Sequence, residues 1–340
     1  MTPQSLGDIL GDPERLVGIT TTVPVEVIYA AGQVPLDLNN IFISSDDPLR
    51  MVEAAERAGF PKNSCCWVKG IYGAARQIGL KRLVAVVEGD CSNTHALAEM
   101  LRADGVAVIP FAYPYGRDPR LLEAHLRRFA AAFGVTLLDA ELKKRELDEL
   151  RSVAHRIDEL QWRHGKTTAR ENHLYAISCS DFFSSPARYQ SEASAVIAEA
   201  ERRSGSVPRL RIGLMGVPPI CEGLFELLEA HGAEVVLNEV PRQFSMPDGG
   251  GNLVEQYRRF TYPYDVFGRI ADVRRQVARR DVHGLIHYVQ SFCYRQVQDV
   301  LIRRSLDVPV LTLECDRPGP LDGRTVTRLE AFIERLEGRR

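Results

Sequence analysis

The sequence predicts an α/β protein of two parallel-sheet lobes joined by a helical segment. Three observations carry this expectation. Short apolar runs alternate with amphipathic helical stretches, the pattern that leaves a sheet parallel. The alternation occurs twice, over 1–140 and again over 209–340, with a stretch at 141–208 between them that reads as wholly helical. A chain of 340 residues is also too long for one ordinary core and fits two domains.

The elements follow in order. In 24–31, Pro24 suits a first helical position and Gly32 closes the helix. The stretch 46–59 repeats the device with an acidic cap, an early proline and a terminal glycine. Ser64 offers a cap to a helical run over 67–78. Residues 83–88 read as a buried strand, 92–103 as a helix, 106–111 as a strand, 119–133 as a helix and 135–139 as a further strand. In the middle segment Leu147, Leu150, Val153, Ile157 and Leu160 form one apolar stripe. Lys143, Lys144, Asp148, Glu149, Arg151 and Asp158 are expected on the solvated face opposite. The second series takes strands at 211–217, 233–240, 284–290 and 308–314, and helices at 221–231, 266–280, 294–306 and 324–336. The stretch 241–263, with glycines at 249–251, reads as a long irregular lid or loop.

Composition narrows the function class. Hydrophobic residues make up 45% and charged residues 26% of the chain, an ordinary globular balance. A formal net charge of -2 gives no electrostatic excess for nucleic acid or an anionic membrane. No secretory signal is expected at the N-terminus, and no apolar run is long enough to span a bilayer. Seven cysteines, an odd number, read as reduced thiols of a cytoplasmic protein rather than a disulfide framework.

Cys91, Cys221 and Cys293 each stand where a predicted strand hands over to a helix. That mouth is where open α/β sheets bind ligands. A helix N-terminus is expected to lower a thiol pKa toward the metal-binding thiolate. Remote cysteines can therefore converge on one iron–sulfur cluster. Spacing adds little, because no C-x-x-C occurs and Cys65 and Cys66 are adjacent. Cys179 and Cys315 read as ordinary buried thiols. Glu26 is a candidate general base, and a first-turn carboxylate favoured by the helix dipole is the commoner alternative. Thr20, Thr21 and Thr22 read as hydrogen-bonders of a ligand or as an exposed strand edge. Tyr262, Tyr264 and Phe267 read as an aromatic wall over a ligand or, more commonly, as core packing, and His95 as a proton donor or, more commonly, as a surface residue.

Five short motifs, in order over nearly the whole chain, carry a resemblance. Pro24, Glu26 and the run Ile28, Tyr29, Ala30, Ala31, Gly32 resemble the opening motif of the 2-hydroxyacyl-CoA dehydratase and benzoyl-CoA reductase family. The segments around Cys65, around Gly89, Asp90 and Cys91, and over 285–293 resemble its three cluster-cysteine segments, and 327–332 its C-terminal signature. The resemblance implies flavodoxin-like (Rossmann-like) lobes and a 4Fe–4S cluster held by three cysteines per subunit, here Cys65, Cys91 and Cys293. Either member of the Cys65–Cys66 pair can fill the first position, and the aromatic residue and valine that follow favour Cys65. Cys221 reads as a lining residue.

The resemblance further implies an acyl-CoA substrate and an ATP-dependent iron–sulfur activator protein that delivers a low-potential electron. The chain would act as an (R)-2-hydroxyacyl-CoA dehydratase-like lyase or an ATP-dependent reductase component, anaerobically and by a radical mechanism. It would work as a homodimer or as a heterodimer with a homologous subunit. A dry cleft between lobes is expected to protect the radical. Two further readings are a homodimeric reductase of a small non-CoA substrate, with a double-cubane 8Fe–9S cluster shared across the dimer, and a non-catalytic cluster-binding electron-transfer protein. The chain lacks G-x-x-x-x-G-K-[ST], which leaves ATP hydrolysis to a partner.

Overall fold

The computed structural model describes residues 13–291 and 293–339. Residues 1–12, where no signal segment is expected, and Phe292, inside the third cysteine motif, lie outside the described residues, as does Arg340. The chain divides into two compact units. The first comprises 1–151, 178–189 and 248–264, and the second 152–177, 190–247 and 265–340.

In the first unit, β1 (Leu16–Ile19), β2 (Val34–Asp37), β3 (Arg82–Glu88) and β4 (Ala107–Ala112) form a parallel sheet in the order β2-β1-β3-β4. Sequence reasoning did not single out β1 and β2, which are only four residues each and have no long apolar run to announce them. Helix Asn93–Ala103 crosses from β3 to β4 and turns Leu97, Ala98 and Leu101 inward. The acid-and-proline starts are real: Asp47 accepts from the Arg50 N–H ahead of helix Pro48–Arg57, and Asp118 accepts from two N–H groups ahead of helix Pro119–Ala132.

The strand expected at 135–139 is instead the start of helix Leu137–Trp162. Thr136 and Asp139 cap each other there: the Thr136 N–H donates to Asp139 Oδ2 at 2.8 Å and the Asp139 N–H to Thr136 Oγ1 at 3.2 Å. This reciprocal bond satisfies two helix-start donors and overrides the strand preference of the apolar run. The face of this helix expected in solvent also differs, because Lys144 and Arg151 are buried. Arg151 follows Leu147 by four residues and precedes Ala154 by three, which places it on the inward stripe. The stretch 241–263 is not a structureless loop. Helix Glu239–Phe244 runs into it, and helix Leu253–Arg259 lies within it and belongs to the first unit.

In the second unit, β5 (Leu210–Gly216), β6 (Cys221–Glu222), β7 (Ala233–Asn238), β8 (Gly284–Val289), β9 (Val310–Glu314) and β10 (Gly319–Pro320) make two parallel assemblies. The main sheet runs β7-β5-β8-β9, and β6 pairs with β10 alone. Its core gathers Met215, Val236, Leu237, Leu285, Ile270 and Val273 between sheet and helices. The helix expected from residue 221 begins later, as Leu224–Ala230, because Cys221 and Glu222 are committed to β10. The helix expected over 294–306 breaks into Tyr294–Val297 and Asp299–Ser305.

Both main sheets share the flavodoxin-like order, in which the second strand lies outside the first and the third lies inside it. This reverses the winding between β1 and β3 and between β5 and β8, and ligands of such folds bind at the carboxyl ends flanking the reversal. Gly216, at the end of β5, has φ +108, and a β-carbon there would stand 2.0 Å from the Tyr288 carbonyl oxygen. Gly216→Ala is expected to lose ~3 kcal/mol or more, since both the left-handed backbone and the backbone neighbour oppose it. Urea unfolding checks this, and an unchanged midpoint contradicts the assigned packing.

Candidate functional site

At the mouth of the first sheet, the residues after β1 are buried rather than an exposed edge. Thr20 Oγ1 accepts from the Val86 N–H at 3.2 Å, and Tyr113 donates its hydroxyl to Thr22 O at 2.9 Å. Thr22 Oγ1 is a buried hydroxyl oxygen without a hydrogen-bond partner. Such orphans are rare away from functional sites and ordered water.

Across the reversal point, β3 leads to Gly89, at φ +99, where a β-carbon would meet Pro263 and Tyr113 at 2.9 Å. This tight turn delivers Asp90 and Cys91. Cys91 is half-buried, with its Sγ 4.0 Å from Thr94 Oγ1, which itself donates to Asp90 Oδ2 at 3.0 Å. The expected lowering of this thiol is overturned. Burial and then the Asp90 carboxylate push it up to about 11, and the N–H groups of Asn93 and Thr94 offset only part of that. Cys65 stands half-exposed at the cap of helix Cys66–Gln77, and Cys66 is buried in that helix's first turn. Beside them Trp67 packs edge-on to Phe42 at 5.6 Å, and its buried Nε1–H has no partner.

Glu26 lies in the first turn of helix Val25–Ala30 and is completely buried. Arg151 Nη2 reaches its Oε1 at 2.6 Å and Gln256 Nε2 the same oxygen at 2.7 Å. Tyr257 donates to Oε2 at 2.7 Å. Burial opposes the Arg151 charge, but Glu26, Tyr257 and Asp148 outweigh it and raise the guanidinium's pKa. Arg151, Gln256 and Tyr257 were not anticipated as partners. The position of Arg151 on the apolar stripe was the one sign of it in the sequence.

A second buried carboxyl group sits near the end of β2. Asp181 Oδ2 accepts from the Asp37 N–H at 2.9 Å, and the Asp181 carbonyl accepts from the Tyr29 hydroxyl at 2.6 Å. The residues that follow, Phe182, Phe183 and Ser184, all have φ near +50 to +55. Non-glycine residues adopt that conformation only under constraint, and such runs gather at functional sites. Burial, with the Asp37 charge, raises the Asp181 carboxyl to about 7, and burial raises Asp37 as well.

At the mouth of the second sheet, Cys293 is half-exposed and caps helix Tyr294–Val297, with its N–H donating to Gln290 O at 3.1 Å. Ser291 is pinned by Asp316, whose oxygens accept from its N–H and hydroxyl at 2.7 Å each. In the middle of β8, His287 Nδ1 meets Asp299 Oδ1 at 2.8 Å, and its buried Nε2 has no partner. Cys179 is buried, as expected, with its Sγ 3.4 Å from the Tyr189 hydroxyl. Cys315 is not an ordinary buried thiol but is half-exposed, and the Cys221 thiol lies close enough to lower its pKa. Phe267 is 64% exposed rather than core, and His95 is exposed as expected. All seven cysteines are thiols. Among the described residues of either unit, no three His, Cys, Asp or Glu side chains gather closely enough to hold a metal ion. No helix among the described residues is long and apolar enough to cross a membrane.

Two measurements probe these clusters. Glu26→Gln removes the fully buried one of the two carboxylates on Arg151, leaving only the part-exposed Asp148 at 2.8 Å, and is expected to cost ~3 kcal/mol. Adding Arg151→Met should restore part of that in a double-mutant cycle, and strictly additive losses would show the pair to be uncoupled. For Asp181, a carboxyl raised by folding holds its proton more tightly in the native than in the unfolded state. Its stabilising share is complete below the ordinary carboxylate range and is lost as pH climbs toward about 7. The stability of the native chain relative to Asp181→Asn should therefore fall from pH 4 to pH 7, and a rise over that range refutes the assignment.

A family model described as 2-hydroxyglutaryl-CoA dehydratase, D-component, matches residues 20–336. No curated protein matches the chain. The matched span takes in Glu26, every cysteine and both reversal-point mouths. This chain belongs to the 2-hydroxyglutaryl-CoA dehydratase D-component family.

Proposed function

We propose that this chain is the iron–sulfur component of an enzyme that dehydrates a 2-hydroxyacyl-CoA, or reduces a related acyl-CoA, by radical chemistry. Cys65, Cys91 and Cys293 are the proposed ligands of a 4Fe–4S cluster. The observation that supports this is their common setting. Each is half-exposed and stands one or two residues before the first residue of a helix, and Cys91 and Cys293 follow strands that flank a reversal point. Cys66 and Cys179 are buried instead. Three soft thiolate donors suit iron–sulfur ligation better than harder oxygen-binding metals.

When bound, such a cluster supplies one-electron chemistry at low potential and a Lewis-acidic iron. The electron would come from an ATP-dependent activator protein, and a second homologous subunit would complete the assembly. The chain's own residues have distinct tasks. Cys91 must give up its proton on ligation, and the Asn93 and Thr94 N–H groups with the Thr94 hydroxyl stabilise the resulting thiolate against burial and Asp90. Trp67 and Phe42 make the flank beside Cys65 apolar, which keeps water from a reactive centre. Glu26 is the proposed site carboxylate. Arg151, Gln256 and Tyr257 on its oxygens fix its position, and the Tyr257 hydroxyl is the proton it faces.

Protein purified without oxygen should contain cluster iron and sulfide and give an EPR signal on reduction. Cys91→Ala or Cys293→Ala should abolish iron binding, whereas Cys179→Ala should retain it. Iron-free protein after anaerobic purification defeats the reading, and iron retained in both of the first two variants reassigns the ligands.

A further inference from the structure

We propose that Cys221 and Cys315 form a redox-active dithiol, separate from the three proposed cluster ligands, that exchanges with low-molecular-weight disulfides. The inference does not depend on a cluster being bound.

Its basis is the way the second unit brings two thiols together from positions far apart in sequence. Cys221 lies in β6, which is held by β10 through the register Cys221 to Gly319 and Glu222 to Pro320. Cys315 follows β9 directly, with its N–H donating to Val289 O at 3.3 Å. The Tyr288 hydroxyl, at the end of β8, sits between them. It accepts from the Ile220 N–H at 3.0 Å, donates to Cys221 Sγ at 3.4 Å and lies 3.5 Å from Cys315 O. Tyr288 is fully buried, so this clamp is rigid. The two thiols lie close enough to shift each other's pKa, and neither cysteine is in a disulfide.

The pair is asymmetric in the way that exchange requires. Cys315 is half-exposed and lines a cavity of about 370 Å³ that also takes in Arg317, Arg324 and Arg328. Cys221 is buried behind it. The neighbouring Cys221 thiol brings the Cys315 thiol down to about 7, while the pairing with Cys315 and then burial push Cys221 up. The accessible sulfur is therefore the nucleophile, with a pKa near ambient pH, where attack is most effective. The buried sulfur is positioned to resolve.

The chemistry balances without further reagents. The Cys315 thiolate attacks one sulfur of a disulfide RSSR, the S–S bond breaks, and one thiolate leaves. Cys221 then gives up its proton and attacks Cys315 Sγ, which displaces the second thiolate and closes the Cys221–Cys315 bond. The two protein thiols are oxidised, the small disulfide is reduced to two thiols, and the two protons lost by the pair are the two gained by the products.

The test uses full-length protein purified anaerobically, treated with oxidised glutathione, quenched by alkylation and mapped by peptide mass spectrometry. The expected product is a peptide pair linked through Cys221 and Cys315, reversed by dithiothreitol. In Cys221→Ser the glutathione adduct should persist on Cys315, and in Cys315→Ser the reaction at Cys221 should be lost. Circular dichroism of both variants reports whether they fold, and the unmodified chain answers the question alone if they do not. Alkylated Cys221 and Cys315 after treatment, or an adduct on Cys315 that never resolves in the unmodified chain, would overturn the proposal.

Discussion

A buried carboxylate gripped by a guanidinium organises the first unit. Glu26, Arg151, Gln256 and Tyr257 come from three segments far apart in the chain, and one carboxylate holds all three donors. An ion pair taken wholly out of water adds little net stability compared with apolar packing, yet removing one partner is costly. Its effect is therefore to select one arrangement. Segments that could pack in several ways against an apolar sheet have one way to satisfy these groups. The second unit repeats the device. Glu239, in the first turn after β7, takes Arg269 at 2.6 and 2.7 Å, and accepts from the Gly216 N–H at 3.2 Å. Burial opposes ionisation of Glu239, but Arg269 outweighs it and holds the carboxyl below its usual range.

These anchors matter because parallel sheets send every strand's carboxyl end the same way. Apolar residues fill the strands, and polar groups collect where the strands stop. In the first unit those are Thr20 to Thr22, Asp37, and Gly89 to Cys91. In the second they are Gly216, Ser291 and Cys293, and Cys315. Glycines with positive φ make the exits sharp enough to bring a thiol or a backbone N–H to the mouth, as Gly89 does for Cys91. Burial at these mouths has a chemical cost, visible in the raised Cys91 and Asp181. A group that holds its proton tightly must release it before it can ligate a metal, so binding at such a mouth strengthens with rising pH.

The handling of thiols divides along the same lines. Cys66 and Cys179 are packed as small apolar side chains. Cys65, Cys91 and Cys293 are left partly open at helix starts. Cys221 and Cys315 are held against each other by a tyrosine and a two-residue ladder. One residue type thus occupies three settings, separated by exposure and by what faces the sulfur rather than by spacing.

The sequence alone determined the double β-α plan, most helix starts and the strand exits that carry Cys91 and Cys293. These depend on local chemistry: apolar periodicity, acidic caps, prolines in first turns and glycines at ends. It misread 135–139, where the Thr136 and Asp139 caps outweighed an apolar run, although that cap was legible. The tertiary structure decided what local pattern cannot encode. Arg151 turned from an expected surface charge into the partner of Glu26, and Cys315 from an expected core thiol into the partner of Cys221. Each depends on a group more than ninety residues away, and the energy of burying a charge or a thiol is set by that distant neighbour, which no short window of sequence contains.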